Sequence, residues 1–141
     1  MNAPVIDEFN VSMKNILYTD KITKNRNLIR YILLKFYTIL NKTVVVDNSM
    51  MTIEHIFPQN PSVSNQMTDE IVGNIGNMII VSGELNRKLA NKTFLEKKKV
   101  LIASGYILDP ILNEATEWNE EQVLNRLEWM SNEAYNVIWK I

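Results

Sequence analysis

The chain contains no cysteine and a single histidine, His55, and these two facts limit how it can be held together. Without cysteine there is no disulfide framework, no iron–sulfur cluster and no zinc site built on thiolates. One histidine likewise excludes a multi-histidine metal cluster. The 141 residues, 46% of them apolar, must therefore fold around a hydrophobic core. A chain of this length forms one domain and buries about two-thirds of its unfolded surface.

The formal net charge is only −1, but the charged residues are unevenly distributed along the chain. Basic side chains dominate residues 14–42 and 86–99, and acidic side chains dominate residues 109–133. This pattern indicates either a polarised surface with one face suited to phosphates or simply solvated helix faces. No apolar stretch is long enough to span a membrane, and residues 1–10 do not form a secretory signal. We therefore expect a cytoplasmic protein.

The spacing of apolar residues predicts an α+β fold. We expect a lead-in segment over residues 1–24, followed by an amphipathic helix that Asn25 or Asn27 caps. Thr43–Val46 and Met50–Ile56 have the pattern of two strands around a turn, and the next twenty residues lack any periodicity. The expected elements are a helix at 25–41, strands at 43–46 and 50–56, a long loop at 57–76, a strand at 78–81, a turn at Ser82-Gly83, and helices at 84–89, 94–104 and 119–139.

Two of these helices carry clear end signals. Thr93 and Glu96 have the spacing of a capping box, and Gly105 is a typical residue to end the same helix. Asn119 with Gln122 three residues later predicts the start of the last helix.

Residues 52–98 contain a series of short motifs in a definite order. They are Glu54-His55-Ile56-Phe57-Pro58, Gly76-Asn77-Met78, Leu85-Asn86, and Asn91-Lys92-Thr93-Phe94 followed by Lys97-Lys98. Each motif alone is common, and a lone histidine beside apolar residues is more often structural than functional. Taken together, the motifs resemble those of the HNH (ββα-metal, His-Me finger) nucleases. More narrowly, the chain resembles the C-terminal nuclease domain of GmrSD-type modification-dependent (type IV) restriction enzymes, over about residues 25–141.

This resemblance implies a ββα-metal core over residues 43–104, flanked by helices at 25–41 and 119–139. It implies a metal-dependent DNA endonuclease that hydrolyses phosphodiester bonds, as the nuclease part of a restriction or phage-defence system acting on DNA that can be modified. In such enzymes an N-terminal nucleotide-hydrolysing domain precedes the nuclease domain, and these 141 residues do not include it. The sequence leaves open whether the chain is a separated domain or a stand-alone product.

The motif positions imply a role for each candidate residue. His55 is expected to be the general base, because imidazole titrates near neutral pH. Glu54 and Asn86 are expected to bind one Mg²⁺ or Mn²⁺ through oxygen atoms. Asn77 is expected to hold the long loop and the backbone at His55. The residues expected to contact DNA phosphates are Arg87, Lys88, Lys92, Lys97 and Lys98.

Several features keep a second interpretation open. Many nucleases of this class have aspartate at the position of Glu54 and histidine at that of Asn86, so we expect weak metal affinity. Alternation along a strand also directs Glu54 and His55 to opposite faces unless the strand ends there. The alternative is a non-catalytic nucleic-acid- or protein-docking module on the same fold. On either interpretation, we expect the N-terminal basic cluster of Lys14, Lys21 and Lys24 to contribute little, because nothing in the sequence connects it to the motifs.

Overall fold

The computed structural model describes residues 13–41, 48–58 and 67–139. Within these residues, six α-helices surround a two-stranded antiparallel sheet, which confirms the α+β class and is compatible with a small ββα-type core. In chain order the elements are α1 (Arg26–Leu40), β1 (Met51–His55), α2 (Asp69–Val72), β2 (Met78–Ser82), α3 (Gly83–Leu89), α4 (Phe94–Ala103), α5 (Pro110–Glu114) and α6 (Glu120–Glu133). Short 3₁₀ turns precede both strands, at Asn48–Met50 and Ile75–Asn77, and α6 continues as a π-helix over Ala134–Trp139.

The described sheet contains a strand pairing that the sequence analysis did not predict. β1 pairs with β2, with Met51 opposite Ser82 and His55 opposite Met78. The predicted strand at 43–46 lies outside the described residues, so its pairing with β1 stays a prediction. The two observed strands are joined by the long segment between them, and the ββα unit is therefore β1, β2 and α3.

Both faces of β2 are buried, because alternate residues of this strand enter two separate apolar clusters. Met78 and Ile80 pack with α1 and with the C-terminal half of α6. Ile79 and Val81 pack with apolar residues of α3, α4 and α5. The continuous apolar run of β2 follows from this arrangement, since neither of its faces contacts water.

The helix ends show which of the predicted capping residues act as caps in the structure. The capping boxes at Thr93 and Asn119 are both present, and Gly105 follows α4 with a φ of +83°. Asn25 precedes α1, but its side chain donates to the carbonyl oxygen of Leu17 (3.2 Å) and does not cap the helix. The sequence analysis missed α2 and α5, because four or five residues are too few to show a helical period. No helix in the described parts of the chain has the length and apolar character needed to cross a membrane.

Candidate active site

An open cleft of about 310 Å³ lies beside the end of β1 and the C-terminal end of α3. Its walls include three of the predicted site residues, Glu54, His55 and Asn86. Glu54 and His55 both line the cleft although they are consecutive in sequence, because β1 ends at His55. The remaining described wall residues are Ile53, Pro58, Ala90 and Asn91.

His55 is buried and has a defined orientation. Its Nε2 lies 3.0 Å from the carbonyl oxygen of Tyr18, and the Tyr18 ring stacks on the imidazole at a centroid distance of 5.8 Å. A carbonyl oxygen can only accept, so Nε2 must carry the proton and a neutral ring must have its lone pair on Nδ1. Burial lowers the pKa of His55, although the Tyr18 carbonyl and the nearby Asp20 act in the opposite direction. The ring is therefore held neutral, with Nδ1 as the acceptor.

The contact with Tyr18 comes from the segment that the sequence assigned to the lead-in. Tyr18 donates its backbone N–H to the carbonyl oxygen of Gly73 (2.9 Å), and Leu17 forms a β-bridge with Asn74. Met13 is buried in the core. No local pattern in residues 13–20 indicates these contacts, because their partners are more than thirty residues away in the sequence.

Glu54 forms a buried ion pair with Lys97, with 3.0 Å between Oε1 and Nζ. Burial raises the pKa of the Glu54 carboxyl, and the Lys97 ammonium partly offsets this. Within the described residues, Oε2 of Glu54 has no hydrogen-bond partner. One carboxylate oxygen is thus held by Lys97 and the other is unused.

Lys97 does not fit the predicted phosphate contact. It is only 2% exposed, and its ammonium also donates to the carbonyl oxygens of His55 (2.9 Å) and Ile56 (3.1 Å). All three N–H groups are used inside the protein, so Lys97 secures the end of β1 rather than facing DNA. Lys98 is also committed internally, because its Nζ donates to the carbonyl oxygens of Asn113 and Ala115.

Asn86 is anchored in a way that leaves its oxygen available. Its Nδ2 donates to Thr52 Oγ1 at 3.0 Å, which fixes the rotation of the amide. Among the described residues Oδ1 has no hydrogen-bond partner, and the side chain lines the cleft. No group of three or more histidine, aspartate or glutamate residues is clustered in the described parts of the chain. A single carboxylate and an amide oxygen still suit Mg²⁺, which commonly retains several waters and binds through one or two carboxylates plus substrate phosphate.

Asn77 is completely buried and ties together both ends of the long segment. Its Nδ2 donates to the carbonyl oxygens of Phe57 (3.0 Å) and Val72 (2.9 Å). Its Oδ1 accepts from the Phe57 N–H (2.9 Å) and from Trp118 Nε1 (3.0 Å). The backbone carbonyl of Asn77 accepts from Ile56, next to His55. These contacts make Asn77 a positioning residue, and its side chain does not line the cleft.

Arg126 supports Asn77 from the other side, and the sequence analysis did not single it out. Its guanidinium donates to the carbonyl oxygens of Gly76 (3.1 Å) and Met78, on either side of Asn77. It also pairs with the buried carboxylate of Asp109 at 2.9 Å. In the sequence, Arg126 stands out only as the one basic residue among the acidic residues of 109–133. Its burial could not be read from the sequence.

The family model for GmrSD restriction endonucleases, C-terminal domain, matches residues 7–133. The chain belongs to this family. No curated protein and no solved structure matches the chain. The matched range starts at residue 7 and so includes the segment that carries Tyr18.

In this GmrSD-type domain the remaining predicted basic residues, Arg87, Lys88 and Lys92, are all exposed. Lys88 lies 3.6 Å from Glu84 and lines a separate hollow of about 260 Å³ with Tyr37 and Ser104. It therefore lies on a different side of α3 from Asn86. Lys92 follows directly after Asn91, which lines the cleft.

Proposed function

We propose that this GmrSD-type domain is a metal-dependent DNA endonuclease with His55 as its general base. The observation that carries the proposal is the orientation of His55 in the cleft that Glu54 and Asn86 share. Family membership supports the same function. We further propose that the domain is the nuclease part of a restriction or phage-defence system, acting with a nucleotide-hydrolysing partner domain.

The chemistry starts from the neutral imidazole. Phosphodiester hydrolysis requires removal of a proton from the attacking water, and Nδ1 of His55 is the acceptor that this tautomer provides. The ring becomes an imidazolium once it takes the proton, and the Tyr18 carbonyl stabilises it through the Nε2–H. Because burial lowers the pKa of His55, the base is unprotonated at neutral pH.

Glu54 and Asn86 are the residues that would hold Mg²⁺ or Mn²⁺, through Oε2 and Oδ1. When bound, the cation supplies positive charge next to the scissile phosphate and the departing 3′ oxygen. The Lys97 ammonium, 3.0 Å from the same carboxylate, repels a cation at this position. The proposal therefore includes weak metal affinity, for which both Lys97 and the neutral amide of Asn86 are reasons.

The decisive experiment is plasmid cleavage by the wild type and by His55→Ala, in Mg²⁺, Mn²⁺ or EDTA. We expect cleavage by the wild type in metal only, and a loss of about 10²–10⁴-fold in the variant, which is typical for removal of a positioned base. Binding of labelled DNA in EDTA and the thermal midpoint serve as controls for folding. Cleavage by His55→Ala at the wild-type rate would remove His55 from the mechanism.

The metal part of the proposal is examined in the same assay. Glu54→Gln and Asn86→Ala should each raise the Mn²⁺ concentration at half-maximal activity and weaken Mn²⁺ binding measured by calorimetry. Unchanged midpoints in both variants would show that the two residues do not share a metal.

One observation favours the alternative of a non-catalytic docking module. Lys97 already neutralises Glu54, the one carboxylate among the described residues that line the cleft. A docking module would bind DNA in EDTA and cleave it in neither metal. That outcome, with a folded protein, would support the alternative.

A further inference from the structure

Residues 17–26, which we name the basic knuckle, form a compact turn that leads into the first residue of α1. Thr19 and Ile22 exchange backbone hydrogen bonds of 3.0 and 3.2 Å. The Asn25 amide donates to the Leu17 carbonyl at 3.2 Å, and so closes the turn. The turn is therefore ordered by its own contacts.

The basic knuckle is attached directly to the candidate active site. The carbonyl oxygen of Tyr18 accepts the hydrogen bond from His55, and its N–H binds Gly73 at the end of the long segment. Asp20 lies close enough to act on the charge of His55. The basic knuckle thus holds the His55 ring through Nε2, and His55 itself lines the cleft.

The basic knuckle also carries a net positive charge. Lys21, Lys24 and Arg26 are exposed, and in the described parts of the chain none of the three pairs with an acidic side chain. Asp20 is the only acidic residue in the turn.

We infer that the basic knuckle is a second contact surface for the DNA backbone, on the His55 side of the cleft. The inference rests on the proposed function. A DNA strand whose scissile phosphate lies at His55 has further phosphates in both directions along its backbone. Lys92 follows Asn91, which lines the cleft after the end of α3, and the basic knuckle contacts His55, which lines it at the end of β1. This reverses the expectation for Lys21 and Lys24, which the sequence could not connect to His55.

The test compares two double variants that remove the same charge. Lys21→Gln/Lys24→Gln alters the basic knuckle, and Lys35→Gln/Lys99→Gln alters exposed lysines on α1 and α4. Binding of a labelled DNA duplex is measured by fluorescence anisotropy in EDTA at several salt concentrations. Each lost phosphate contact should lower the slope of log affinity against log salt by about 0.9. We expect a decrease of about 1–2 in the knuckle variant, a similar loss of affinity on unrelated sequences, and no change in the control variant.

Three outcomes overturn the inference in different ways. If the knuckle variant keeps the wild-type slope of log affinity against log salt, the DNA strand does not cross this surface. Equal flattening in both variants shows that only total charge matters. A wild type that does not bind duplex DNA rejects the proposed function as well, whereas the first two outcomes leave that function intact. The chemical shift of the His55 ring in the knuckle variant verifies that its contact with Tyr18 is unchanged.

Discussion

At the scale of single residues, the candidate site depends on two buried ionisable groups with opposite requirements. In the proposed mechanism His55 must stay neutral to accept a proton, and Glu54 must stay charged to bind a cation. Burial lowers the pKa of His55 and raises that of Glu54. The same burial favours the first proposed role and opposes the second, and the Lys97 ammonium partly offsets the effect of burial on the pKa of Glu54.

The pKa of His55 leads to a prediction about stability. The unfolded chain takes up a proton on this histidine near pH 6.5, while the folded chain takes it up only at lower pH. Stability therefore falls as the pH drops below 6.5 towards the folded pKa. Urea unfolding of the wild type should show this fall between pH 7.5 and 5.5, and His55→Gln should show less of it. Because the chain has one histidine, its ring signal in NMR reports the folded pKa directly. Equal pH dependence in the two proteins would contradict the prediction.

Lys97 supplies a second prediction at this scale. Lys97→Met preserves the length of the side chain but leaves the Glu54 carboxylate and two carbonyl oxygens without their donor. Removing one partner of a buried ion pair typically lowers the free energy of unfolding by about 3–5 kcal/mol. The matched control is Lys98→Met, whose two carbonyl contacts are less buried and should cost about 1 kcal/mol. Urea unfolding of the two variants at pH 7.5 measures both, and equal losses would mean that Lys97 has no special role.

At the scale of elements, the site depends on how closely α6 approaches the turn that carries Asn77. A methyl group on Gly76 would lie 2.3 Å from the carbonyl oxygen of Val123 and 3.1 Å from the backbone nitrogen of Leu127. The glycine of the Gly76-Asn77 motif is therefore required by packing against a helix backbone, which cannot yield locally. The motif thus has a structural explanation in addition to its resemblance to a family pattern.

The expected effect of Gly76→Ala is a loss of about 1–3 kcal/mol or more, since overpacking forces the backbone to shift. Gly83→Ala is the control, because the nearest atom to its added methyl group is 3.8 Å away. At that helical position alanine should be neutral or should stabilise by up to about 1 kcal/mol. Thermal denaturation of both variants measures the difference. A Gly76→Ala protein as stable as Gly83→Ala would show that α6 can move away.

At the scale of the whole molecule, residues that line the cleft connect to basic residues in two distant parts of the chain. Arg87 and Lys92 are exposed and directly follow the cleft residues Asn86 and Asn91, and the basic knuckle contacts His55. Lys88 is paired with Glu84 and lines a different hollow. The contribution of each cation to DNA binding therefore depends on the side of the molecule it occupies.

We expect Arg87→Ala/Lys92→Ala to weaken binding of all duplex sequences alike and to reduce the salt slope by about 1–2. Lys88→Ala alone should leave the slope unchanged. Anisotropy titrations in EDTA measure both proteins under the same conditions. A flatter slope in Lys88→Ala, with none in the double variant, would place the DNA on the opposite side of α3.

The sequence by itself determined the α+β class, the positions of the main helices, both strands of the observed sheet and the motifs that resemble the family. These features are encoded locally, in apolar periodicity, in capping residues such as Thr93 and Asn119, and in short ordered motifs. The strand at 43–46 and the functional roles of the site residues stay predictions.

Only the tertiary structure decided the rest. It paired β1 with β2, brought Tyr18 to His55, buried Lys97 against Glu54, and placed Arg126 behind Asn77. Each of these contacts joins residues that are far apart in the sequence. Local patterns carry no information about such pairs, because which surfaces meet is set by the packing of whole elements around the core.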